Sequence, residues 1–179
     1  KECSLEAELT PINLEIALTG GDRTNDYLRP RDNSKSIGPT AKQLGLTKEN
    51  AFYEPDLGKG YVVSQEIKDN MTWILDSYKR GDVPSVRVTA CLKNEVIEAS
   101  KVADGKGRLF YSVDIAFNLI MKMYLLPLCA HLRSKSNITR QVISLNATSS
   151  AWEELANDMC PNSERGVIEG DYKAPDMNH

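Results

Sequence analysis

The chain has 179 residues, 41% of them apolar and 26% charged, which is enough for one domain with a core of ordinary globular make-up. Its formal net charge of −3 excludes a surface that attracts nucleic acid all over, so a polyanion partner would have to be met by a local basic channel. Four scattered cysteines, Cys3, Cys91, Cys129 and Cys160, form no C-x-x-C pair and have two histidines for company, which supports neither a zinc site nor a disulfide framework and points to reduced thiols in a cytosolic setting.

The first residue is Lys, so the expectation is a fragment or processed product, and KECSLEAEL carries charges where a secretory signal needs an apolar run. Thr10-Pro11, then INLEIAL and Gly20-Gly21, predict a short helix over about 11–18 with Thr10 as its cap. Residues 21–60 are rich in Gly, Pro, Asn, Asp and Lys without sustained periodicity, which predicts a long functional or mobile loop. Ser64 then stands as the cap of QEIKDNMTWILDSYK, where Ile67, Met71, Ile74, Leu75 and Tyr78 recur at helical spacing and Gly81 closes the run.

In VRVTACLK, Val86, Val88, Ala90 and Leu92 alternate with polar residues, which predicts a half-buried strand. A second strand, RLFYSV from Arg108, leads into a helix over 114–132 that should kink or break near Pro127. This run is apolar enough to suggest a membrane span, but Asn118, Lys122, Pro127 and His131 interrupt it, so a buried amphipathic helix and no transmembrane segment are expected. Ser150-x-x-Glu153 predicts a capping box for AWEELANDM, and GVIEGDY predicts a last strand that delivers Asp171 at its end.

Two groups of residues carry chemistry. Asp171 and Asp176 are five positions apart, so a straight strand would hold them on opposite faces about 16 Å apart; a bend near Pro175 would let both face one hard cation such as Mg2+. The alternative is a turn residue and a solvated cap. The segment KNEVIEASKVADGKGRLF holds Lys93, Lys101, Lys106 and Arg108 against Glu95, Glu98 and Asp104, with Gly105 and Gly107 freeing the backbone. It fits a solvated hairpin or a phosphate-binding one.

A strand ending in LKNE, a loop through SKVADGKGRLF, a long apolar helix, a helix opening with SSAWEELA and a terminal GDYKAPD follow one another in an order that resembles the RNA-dependent RNA polymerases of picornavirus-like positive-strand viruses. The resemblance covers about residues 86–176 and reaches weakly back to about residue 10. It implies an α+β fold: a mostly helical fingers subdomain with short strands over 1–165, ending in the truncated first strand of a polymerase palm over 166–179. By the same resemblance, Lys93, Lys101, Lys106 and Arg108 line the nucleotide channel of about 91–110, and Glu95 braces that segment through Arg108. Asp171 falls on the palm aspartate that binds the catalytic metals, and Asp176 on the one that senses the ribose 2′-hydroxyl. KSIGP is similar to the T-S-x-G template-guiding segment, here about 30–40, with Ser36 and Gly38 in register and Lys35 in place of the Thr.

Ile97 stands where the family often has arginine, and Pro175 where it has an aromatic residue, which loosens the match at Asp176 more than at Asp171. The resemblance implies template-directed nucleotidyl transfer to an RNA 3′ end with two Mg2+ or Mn2+ ions. RNA template, primer or product, NTPs and the rest of the palm and thumb would be its partners, in replication complexes of the host cytoplasm. The rival from another class is a non-catalytic RNA- or phosphate-binding domain whose lysines hold polyanion and whose aspartates are structural.

Overall fold

A computed structural model of the chain describes residues 9–21, 28–32, 34–53, 62–135, 142, 145–146, 148–159 and 170. The chain divides into two units, residues 1–135 and 136–179. The architecture is α+β, with helices dominating and two short antiparallel strand pairs among the described residues.

Helix α1 (Leu14–Thr19) begins later than the predicted 11–18, because Asn13 and not Thr10 supplies the cap: its side chain accepts the Ile16 N–H at 2.8 Å. Gly20, at φ 81°, ends it. The stretch expected to be a loop contains α2 (Pro39–Gln43), α3 (Lys48–Ala51) and β1 (Phe52–Tyr53), the last paired with β2 (Val62–Val63) in the register Phe52↔Val63. Each is too short to print a period on the sequence. What locks them is chain chemistry, Pro39 in the first turn of α2 and a reciprocal Thr47–Asn50 capping box on α3.

Helix α4 (Gln65–Lys79) buries Ile67, Met71 and Ile74 at the predicted spacing, while Tyr78 lies exposed and Ser77 takes the buried position beside it. Ser64 makes no side-chain cap bond, contrary to expectation. The helix closes in a Schellman motif, with the Gly81 N–H on the Tyr78 carbonyl and the Asp82 N–H on the Ser77 carbonyl, both at 3.0 Å.

Strands β3 (Val88–Leu92) and β4 (Leu109–Val113) pair from Val88↔Val113 to Leu92↔Leu109, with α5 (Ala99–Ala103) in their connection. The expected half-buried face of β3 is not covered by the described residues: Val88 is 50% and Leu92 68% exposed. Alternation marks a face that something can cover, and here nothing described covers it.

Helix α6 (Ile115–Ser134) runs as one element through Pro127. Proline has no N–H to offer the carbonyl four residues back, Met123, and the Ile12 N–H fills that vacancy at 2.9 Å. Among the described residues α6 alone is long and apolar enough to cross a membrane, at mean hydropathy 1.5. One face of it packs into the core: Ile115, Ala116, Leu119 and Ile120 are buried, α4 and α1 lie against it, and the Lys122 ammonium donates to the Ala17 and Arg29 carbonyls at 2.8 and 3.0 Å, while Met121, Tyr124, Leu125 and Leu128 are exposed. In the second unit α7 (Ala151–Met159) starts where predicted, with the Glu153 and Glu154 N–H groups on the Ser150 carbonyl. The strand predicted to end at Asp171 lies outside the described residues, Gly170 excepted.

The core closes where the chain before α2 meets the β4–α6 junction. Gly38 sits at φ 86°, ψ 174°, a region open in practice only to glycine, and a Cβ there would come within 2.6 Å of the Asp114 Cα and 2.8 Å of the Val113 carbonyl oxygen. Gly45, at φ 74°, faces open space. Gly38→Ala is therefore expected to cost roughly 2–5 kcal/mol, backbone strain plus backbone overlap, against about 1 kcal/mol for Gly45→Ala. Denaturant unfolding of the two variants checks this; equal losses would contradict the close approach.

Candidate functional site

The 93–108 connection gathers its charges at one end of the β3–β4 hairpin. The Lys93 N–H donates to the Arg108 carbonyl at 2.8 Å, carrying the ladder one residue past Leu92↔Leu109. Helix α5 then ends in a Schellman motif, the Gly105 N–H on the Val102 carbonyl at 3.0 Å and the Lys106 N–H on the Lys101 carbonyl at 2.8 Å, and Gly105 takes the positive φ of 66° that this turn needs. The four cations thus project from one short, backbone-tied segment.

Each cation has a carboxylate of the same segment. Glu95 Oε2 receives Lys93 Nζ at 2.8 Å and Arg108 Nη1 at 3.3 Å, bridging the end of one strand and the start of the next. Lys101 lies 3.5 Å from Glu98, and Lys106 lies 2.8 Å from Asp104. The cationic side chains stay open to solvent, 56% exposed at Lys101 and 70% at Arg108. The Lys93 hydrogen bond, the largest effect, holds the Glu95 carboxyl below its ordinary value; burial opposes it, and the charges of Arg108 and then Lys93 add to the lowering.

Ser36 and Gly38 share a tight turn in which the Ser36 hydroxyl accepts the Gly38 N–H at 3.1 Å. Ser36 also lines a cleft of about 180 Å³ with Pro30, Arg31, Asp32, Lys35, Val113, Ile115, Asn118 and Lys122. Arg31 lies over the Phe52 ring at 4.2 Å from its centre. Burial lowers its pKa against the pull of Asp32, and burial and then Arg31 lower that of Lys122. Sequence reasoning missed Arg31 and Lys122 as cleft residues. Lys122 had left a signal, a cation in an otherwise apolar run.

Asp171 and Asp176 lie outside the described residues. Among the described residues no three His, Cys, Asp or Glu side chains come together as metal ligands.

The family model described as "Viral RNA-dependent RNA polymerase" matches residues 15–177. The chain belongs to that family. It is 28% identical over 170 residues to the RNA1 polyprotein of Tomato torrado virus, covering 92% of this chain and 8% of the polyprotein. To the Replicase polyprotein of Cricket paralysis virus it is 27% identical over 109 residues, 61% of this chain and 6% of that one. The solved Sicinivirus 3Dpol RNA dependent RNA polymerase shares the fold at a TM-score of 0.67 and 19% identity, over 84% of this chain and 30% of the polymerase. The chain thus spans under a third of the solved relative and under a tenth of the polyproteins.

The Glu95 pairs carry a pH signature. A carboxyl lowered in the folded state contributes stability that is full above its ordinary value of 4.5 and is lost as pH falls through the lower folded value. Carbonyl NMR should find the Glu95 midpoint below 4.5, and Lys93→Ala should raise it. A midpoint above 4.5 in the wild type would contradict the bridge.

Proposed function

We propose that this chain is the fingers region, over residues 1–165, and the start of the palm, over 166–179, of a viral RNA polymerase that joins NTPs to an RNA 3′ end under direction of an RNA template. The reading is carried by the cluster of four cations on the 93–108 connection of a chain in this family. Exposed ion pairs are worth about 0–1 kcal/mol each, so an incoming triphosphate displaces Glu98 from Lys101 or Asp104 from Lys106 at small cost and gains charge-assisted bonds in return. Arg108 keeps Glu95 on one edge of its guanidinium and offers the other to phosphate oxygen. Lys93 and Lys106 add positive potential along the channel.

Ser36 and Gly38 guide the template strand past the cleft, where Lys35 meets its phosphates. Asp171 would hold Mg2+ or Mn2+, and two such ions supply charge stabilisation to the attacking and leaving oxygens when bound. Asp176 would read the ribose hydroxyl. The work of the described residues is positioning and neutralising charge, the dominant contribution in phosphoryl chemistry. The site of action is the replication complex in the host cytoplasm, and this chain alone would be inactive, since it spans 30% of the solved polymerase it matches.

The rival, a polyanion-binding domain without catalysis, is favoured by the openness of all four cations, and kinetics separate the two. In the complete polymerase, Lys101→Ala and Arg108→Ala should raise the apparent NTP KM or lower kcat with little change in RNA affinity, Arg108→Ala being the worse. A pure loss of RNA affinity, with the slope of log K against log salt falling by roughly 0.7–0.9 per substitution, would favour the rival.

Asp171→Asn should abolish synthesis, whereas Asp176→Asn should mainly weaken the preference for ribose over deoxyribose, by about 1–3 kcal/mol for one hydrogen bond. Single-nucleotide incorporation of NTP and dNTP measures both. Near-normal rates in Asp171→Asn would remove the metal assignment.

A further inference from the structure

We infer that Asp114 is a positioning residue that couples the template-guiding loop to the nucleotide-channel hairpin, with Asn70 as its partner. Asp114 follows directly on β4, whose other end, Leu109, adjoins Arg108, and it caps α6. It is 2% exposed. Its Oδ1 accepts the Ala116 N–H at 3.0 Å and Asn70 Nδ2 at 3.2 Å, and its Oδ2 accepts the Thr40 N–H at 3.2 Å. One carboxylate therefore ties the end of the hairpin, the middle of α4 and the first turn of α2.

The same junction is joined by backbone. The Ile115 N–H donates to the Ile37 carbonyl at 3.1 Å, between Ser36 and Gly38, and Gly38 packs against Val113 and Asp114 too closely for any side chain. A shift of β4 along its axis must move the Ser36–Gly38 turn with it, or break these bonds. Thr40, Asn70, Arg87 and Asp114 also line a small pocket of about 20 Å³ beside the joint. Charge suits the place: an acid at the N-terminus of a 20-residue helix is stabilised by the unsatisfied N–H groups there. Asn70 has no reason of its own to be part-buried on the apolar side of α4 except to meet this carboxylate.

The inference rests on the reading of residues 30–40 as template-facing and 91–110 as nucleotide-facing, and the experiment separates the two. In the complete polymerase, with active sites titrated, apparent NTP KM and template Kd are measured for Asp114→Asn, Asn70→Ala, Asn70→Asp and the swap of Asn70→Asp with Asp114→Asn, alongside Arg108→Ala. Coupling predicts that KM and Kd rise together in the single variants, by roughly tenfold, the scale of one lost hydrogen bond to a buried charge. The swap, which restores a donor–acceptor pair across the joint, should recover part of what Asn70→Asp loses. Should Asp114→Asn fail to fold, Asn70→Ala still reads the coupling, since it leaves the α6 cap and the Thr40 bond in place. A lower melting temperature with unchanged KM and Kd would make Asp114 merely structural, and a rise in only one constant would equally overturn the coupling. If Arg108→Ala also leaves KM unchanged, the reading of the hairpin fails and the inference falls with it.

Discussion

A carboxylate with almost no contact with water must have its oxygens filled by donors, and the donors that Asp114 takes come from three separate elements. That requirement fixes the first unit. It sets where α6 begins, holds α4 at Asn70, and draws the chain before α2 so close that only glycine fits at position 38. The apolar core, with Ile67, Ile74 and Leu119 fully buried, supplies most of the stabilisation, but burial is non-directional and leaves the register of its elements open. The polar joint closes that freedom. Removing one donor would leave a buried charge short of a bond, which makes the arrangement close to all-or-none.

A second satisfied vacancy does similar work at the other end of α6. Pro127 deprives Met123 of its intrahelical donor, and the Ile12 N–H from the segment before α1 fills the place, while Lys122 caps the Ala17 and Arg29 carbonyls one turn away. The N-terminal segment is thus fastened to the long helix by polar groups that an uninterrupted apolar helix would not have exposed. The proline and lysine that argue against a membrane span in the sequence are the residues through which the helix grips its neighbours.

The helices that bury a whole face were legible beforehand. Ile67, Met71 and Ile74 on α4 and the apolar run of α6 print their period on the sequence. The one-turn helices α2 and α3 do not, and the choice between Thr10 and Asn13 as a cap is decided by which one the following N–H groups reach. Strands β3 and β4 were placed correctly but their burial was not, because alternation cannot say whether the covering partner belongs to the same chain; Leu109, Phe110 and Tyr111 remain open in a chain that spans 30% of the solved polymerase it matches. At the site, charge spacing picks out the four cations and Glu95. Asp114 gave no such signal, since it reads as an ordinary helix cap and its partners Asn70 and Thr40 lie 44 and 74 residues away.

The electrostatics divide accordingly. Buried charge is spent on geometry, at Asp114, whereas the cations of the hairpin are kept exposed and weakly paired, in the state from which a polyanionic ligand can take them. The central claim is that the rigid joint presents those exchangeable cations to the nucleotide. A structure of the complete polymerase with RNA and an incoming NTP tests it most directly. The account predicts Lys101 and Arg108 in hydrogen-bonding range of the triphosphate, Glu95 still on Arg108, and Gly38 still seated against Val113 and Asp114. A triphosphate held elsewhere, with these cations on the RNA backbone or still on Glu98 and Glu95 alone, would contradict it.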